Sequence, residues 1–138
     1  MSYKLFISWL IVLPVFAALA GGCSETPELP GGTRGIILVQ RMPMADIQVN
    51  IYQDGTEGPI AFGISECDGH FELRLPRTLE AVWLQPGHYR MTVESVGEHF
   101  IRWAPHFSDP ANTPLQQHWS GDADEFLVEI PNAPKYEN

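Results

Sequence analysis

Ala45, Ile47, Val49 and Ile51 alternate without a break with Asp46, Gln48, Asn50 and Tyr52. A helix would scatter the four aliphatic groups around a cylinder, whereas an extended strand sets all of them on one face. The segment therefore reads as a half-buried strand whose core side is already named. The same period of two returns at Ile60, Phe62 and Ile64, at Tyr89, Met91 and Val93, and at Phe126, Val128 and Ile130. Residues 34–39, RGIILV, form instead a continuous aliphatic run, suited to a strand at a sheet centre or covered on both sides.

Turn chemistry separates these runs. Gln40-Arg41-Met42-Pro43 follows the first, and a loop by composition occupies residues 53–59. Asp68-Gly69 tolerates the positive φ of a tight hairpin and predicts that the strand over 60–65 pairs with the one over 70–75. Pro86-Gly87 marks another turn. Residues 76–85 read either as one helical turn capped by Thr78 or as a short edge strand after Pro76. Phe100, Ile101 and Trp103 continue the strand pattern loosely, and residues 105–114 read as a long loop. Glycine (12) and proline (12) together leave few helix-forming stretches, which argues against a helical bundle. About seven short strands spaced roughly 8–12 residues apart predict an all-β fold, a seven-stranded Greek-key β-sandwich over residues 34–131. Residues 132–138 read as a frayed tail.

Ahead of the domain, residues 5–20 read LFISWLIVLPVFAALA, sixteen residues without a charge behind Lys4. A bilayer span needs ~20 apolar residues in helix and this run is broken by Pro14, so it reads as a signal peptide over residues 1–22. Ala20-Gly21-Gly22-Cys23 places small residues before a cysteine and resembles the lipobox of bacterial lipoproteins. The resemblance implies cleavage between Gly22 and Cys23, acylation of Cys23, and attachment to a membrane outside the cytoplasm. The alternative is an ordinary secretory leader cut near Ala20. Residues 23–33, rich in Ser, Thr, Pro and Gly, have the composition of a tether.

Charge excludes one class of partner. Seventeen acidic against eight basic residues give −9, and loss of Lys4 with the leader makes the mature chain −10. Affinity for nucleic acid begins with Lys and Arg replacing counterions, so nucleic acid is excluded as a partner. The only cysteines are Cys23 and Cys67. With Cys23 acylated, Cys67 is left over, and its acidic neighbours Glu66 and Asp68 disfavour a thiolate, so it reads as an inert thiol.

Gly35-Ile36-Ile37, Ala45-Asp46-Ile47-Gln48-Val49, Asp68-Gly69-His70-Phe71 and Pro86-Gly87-His88-Tyr89 occur in an order that resembles the carboxypeptidase regulatory-like domains. Residues 105–115 with Gly121 and Glu125-Phe126 are similar to the carboxyl end of small bacterial lipoproteins built on that module. The resemblance spans roughly residues 33–131. It implies a transthyretin-like or immunoglobulin-like sandwich without catalytic activity, displayed in the cell envelope. Some transthyretin-like proteins hydrolyse 5-hydroxyisourate, but the first predicted strand has no His, and the tail 133–138, APKYEN, lacks the ending that completes that site.

A search for chemistry finds little that converges. His70, His88, His99, His106 and His118 show no ligand spacing, so no metal or other cofactor is expected; His70 and His88 flank turns and are expected to face water. Ser65, Ser95, Ser108 and Ser120 lie in no nucleophile elbow. Asp122, Asp124 and Glu125, and separately Asp54 and Glu57, read as solvated acidic turns. Trp83, Trp103, Phe107 and Trp119 read as packing residues, or, if coplanar and exposed, as a sugar-stacking strip. The sequence thus predicts a lipid-anchored scaffold or binding module for protein or polysaccharide, with no catalytic residue. The alternatives are a carbohydrate-binding module, or a small hydrolase or metal-dependent enzyme on the same frame.

Overall fold

The computed structural model describes residues 32–98 and 101–131, and the backbone of residues 135–136. Among the described residues the chain is all β apart from one 3-10 turn, Pro105–Phe107. The strands are β1 (Arg34–Val39), β2 (Met42–Pro43), β3 (Ile47–Tyr52), β4 (Ala61–Ile64), β5 (His70–Glu72), β6 (Gly87–Ser95), β7 (Ile101–Arg102), β8 (Gln116–Trp119), β9 (Phe126–Ile130) and β10 (Lys135–Tyr136).

Two four-stranded sheets hold the core. In the first, β1 pairs antiparallel with β2 and β5 and parallel with β9, with Gly35 opposite Phe126 and Val39 opposite Ile130. The second has the order β4-β3-β6-β8 and is antiparallel throughout. β3 shows why its sequence constrains the fold so tightly: Ile47, Val49 and Ile51 are fully buried, while Gln48, Asn50 and Tyr52 between them are half-buried on the other face. β6 sets Tyr89, Met91 and Val93 beside them. From the first sheet come Ile37, Val39, Phe71, Phe126, Val128 and Ile130. The sheets interlock through aromatic rings, Phe126 lying 6.4 Å from Tyr89 and 5.6 Å from Trp119 between centroids. Each large side chain so buried is worth ~1.5–3 kcal/mol. The Tyr89 hydroxyl donates to the Gln85 carbonyl at 2.6 Å. Burial raises its pKa above the ordinary tyrosine value.

Several expectations need correction. Ten strands are described where seven were expected, and the parallel β1/β9 pair is foreign to a purely antiparallel Greek key. Gly69 takes φ +80° in the expected turn, and the segments it joins meet antiparallel, Phe62 and Arg74 exchanging backbone hydrogen bonds and the Glu66 amide donating to the His70 carbonyl at 2.8 Å. The longer ladders run elsewhere, β4 with β3 and β5 with β1. Ser65 still exchanges hydrogen bonds with Asp46 and Ile47, and beyond it the 66–69 turn carries the chain from one sheet to the other. Residues 76–85 form no regular helix or ladder strand, but hold a single i→i−4 bond from the Leu79 amide to the Leu75 carbonyl and an antiparallel bridge at Ala81. They close a small arm in which Arg74 bridges Ala81, the Leu75 amide donates to Glu80, and Leu79 takes φ +61°. In place of a frayed end, Lys135–Tyr136 pairs with β7. β8 lies where only a loop and its aftermath were read.

Candidate functional site

The outward face of the second sheet carries the densest set of ordered polar groups. Alternation that buries Val49 turns Gln48 and Asn50 outward on β3, and the register sets them beside Glu94 and Thr92 of β6. Gln48 Nε2 donates to Glu94 Oε1 at 2.8 Å and to Asn50 Oδ1 at 2.9 Å. Asn50 Nδ2 donates to Glu94 Oε1 at 3.2 Å and to Thr92 Oγ1 at 3.4 Å. On the β4 side the row continues with half-buried Phe62 opposite Asn50 and exposed Ile64 opposite Gln48. Toward the other end, Tyr52, Arg90 and Gln116 stand in one cross-strand row and His88 and His118 in the next. Arg90 is held by the Pro110 carbonyl at 2.8 Å and by Asp54 at 3.2 Å, which brings two loops to the rim of this face. Side-chain amides donate and accept at once, and an aromatic face beside them offers an apolar surface. This combination suits a hydroxyl-rich, weakly charged ligand.

A second cluster was not foreseen. His70 is half-buried rather than turned fully to water: Nε2 lies 2.9 Å from Glu125 Oε1 and Nδ1 lies 3.0 Å from Asp68 Oδ2, the latter outside hydrogen-bond geometry. The Asp68 carboxylate also accepts the His70 amide at 3.0 Å, and this backbone bond is the main reason its pKa falls below the ordinary aspartate value. Both ring nitrogens face carboxylates of the chain itself. The cluster ties the start of β5 to the turn before it and to the segment leading into β9. No sequence spacing could have shown it, because Glu125 reaches His70 only through the β1-centred sheet.

The remaining candidates are dispersed. Among the described residues no three His, Cys, Asp or Glu side chains converge on a metal position. The cross-strand pair His88 and His118 supplies two imidazoles, fewer than the three protein ligands of a catalytic zinc. Ser65 is buried, and its Oγ accepts the Ile47 amide at 3.0 Å, a structural bond. The aromatic strip does not form: Trp103, Phe107 and Trp119 are buried, with Trp119 Nε1 donating to the Leu84 carbonyl, and Trp83 alone is exposed. Between β8 and β9 opens a depression of about 270 Å³, floored by Met91 and edged by Leu115, Gln116, Leu127 and Glu129. Asp122, Asp124 and His106 are exposed.

Cys67 is not the spare thiol expected, because it is disulfide-bonded. The lipidation and cleavage positions, Cys23 and Gly22, and likewise His99, lie outside the described residues. Comparison with protein-family models, curated proteins and solved structures gives no match.

Proposed function

We propose that the chain is exported and works outside the cytoplasm as a non-catalytic binding module, its two sheets forming a transthyretin-like sandwich. We assign its ligand as polysaccharide, bound on the outward face of the β4-β3-β6-β8 sheet. The observation that carries this reading is the pre-ordered Gln48–Asn50–Glu94 network beside Phe62 and Tyr52. Fixing such groups before binding removes the ordering cost that otherwise weakens polar recognition. The test is retention of the mature chain on an array of envelope and exopolysaccharide glycans. Selective retention that drops at least about tenfold in a Gln48→Ala/Asn50→Ala double variant supports the assignment. Equal retention of both proteins, or none, rejects it.

Attachment through a lipid on Cys23 is the second half of the proposal, resting on the uncharged run over 5–20 and on Ala20-Gly21-Gly22-Cys23. Export is also supported by the disulfide at Cys67, since such bonds persist in oxidising compartments. The two sulfur fates compete. Cys23 is the only other cysteine of the chain, and a sulfur in a thioether cannot also join an intrachain disulfide. Intact mass of the membrane-extracted protein decides between them: a diacylglycerol addition supports the anchor, and a bare Cys23 overturns it.

A further inference from the structure

We propose that His88 and His118 form a chelating site for a divalent transition-metal ion, copper(II) above the others, at the edge of the second sheet. The two residues stand directly opposite each other, His88 on β6 and His118 on the edge strand β8, and both side chains are exposed on the outward face. Their pairing is of the close kind. One step beyond Arg90 and Gln116, the Met91 amide donates to the Leu115 carbonyl at 2.8 Å, which marks Met91 and Leu115 as a hydrogen-bonded pair. Alternation along the ladder then makes His88 and His118 a non-hydrogen-bonded pair, the kind in which opposing Cα atoms approach to about 4.5 Å and side chains lie nearest. A metal about 2.0–2.1 Å from each of two imidazole nitrogens needs those nitrogens roughly 3 Å apart, which neighbouring rings reach by side-chain rotation alone.

The rings are uncommitted and their backbone is fixed. Among the described residues neither imidazole has a hydrogen bond or an ion pair, whereas His70 is held between Asp68 and Glu125 and His106 lies 4.3 Å from the Phe107 ring. Tyr89 follows His88, Trp119 follows His118, and both of these buried rings pack on Phe126. The Tyr89 hydroxyl and the Trp119 indole are further pinned to the Gln85 and Leu84 carbonyls. Both ligands therefore stand on strands locked into one core, and little ordering is left for the metal to impose. Charge does not stand in the way: Arg90, next to His88 on this face, is paired with Asp54 at 3.2 Å, and the chain as a whole carries −9, which draws cations to its surface. Imidazole suits copper, nickel and zinc, and affinity for one site peaks at copper(II). Two nitrogens with water in the remaining positions fit the tetragonal preference of copper(II), while structural zinc takes four protein ligands.

The experiment titrates the full mature chain, carrying no added histidine tag, with copper(II) chloride, followed by calorimetry and electron paramagnetic resonance. A saturable site with two nitrogen ligands is expected. His88→Asn and His118→Asn should each weaken it at least about tenfold, because either change breaks the same chelate. Both side chains are exposed, so the metal-free thermal midpoints should match wild type, and His106→Asn should bind copper as wild type does. A second measurement needs no variant: substoichiometric copper should broaden the amide resonances of residues 87–89 and 117–119 before any others. Absence of saturable binding, or equal affinity in wild type and both single variants, overturns the proposal. So does an equal loss in His106→Asn, which would mean scattered imidazole binding, or broadening centred away from the β6/β8 pair.

Discussion

At the residue scale, Gly69 is constrained twice, by its backbone angle and by its neighbours. It sits at φ +80°, and a Cβ there would lie 2.8 Å from the Ile37 carbonyl oxygen. Gly69→Val should cost at least ~2 kcal/mol and lower the thermal midpoint; an unchanged midpoint would contradict the turn geometry. Tyr89→Phe removes one buried hydroxyl bond to Gln85 and should cost ~1 kcal/mol in denaturant unfolding. Asp68 sets a pH dependence. Its pKa is depressed in the folded state, chiefly by the His70 amide, so its contribution is fully present above the ordinary value of 3.8 and is lost as pH falls through the lowered one. Asp68→Asn should therefore flatten the acid limb of the thermal-midpoint profile below about pH 4 and leave its shape near neutrality unchanged. The effect will be small because the carboxylate is largely exposed.

At the element scale, β9 divides its two faces. Phe126 meets Tyr89 and Trp119 across the sandwich, so Phe126→Ala should cost ~3–5 kcal/mol, while Leu127→Ala on the outward face should stay within ~0.5 kcal/mol. Chemical denaturation of the pair tests this contrast. β9, β6 and β3 were legible because a two-residue period survives any neighbour. β8, QQHW, was not: only Trp119 turns inward, and a strand with one buried side chain leaves no alternation to read. Which strands pair was also hidden, since β1/β9 and β1/β5 depend on contacts remote in sequence. The candidate surface was half legible. Gln48 and Asn50 follow from the pattern of β3, but Glu94 as their shared acceptor follows only from register. The His70–Glu125 contact carries no local signature at all, whereas the packing role read for Trp103 and Trp119 matches their burial.

At the scale of the whole molecule, the parallel β1/β9 ladder joins the two ends of the domain, Ile36 standing opposite Leu127. Deleting residues from Phe126 onward should unfold the chain rather than shorten it, because β1 would lose its longest ladder and the core its Phe126, Val128 and Ile130. Loss of cooperative unfolding in such a truncation checks this. The ladder also bears on biogenesis. A polypeptide whose opening strand must await β9 is unable to complete its core before that strand has left the ribosome. Without β9 the first sheet stays incomplete, and an incomplete chain is the form that can pass through a narrow translocation pore.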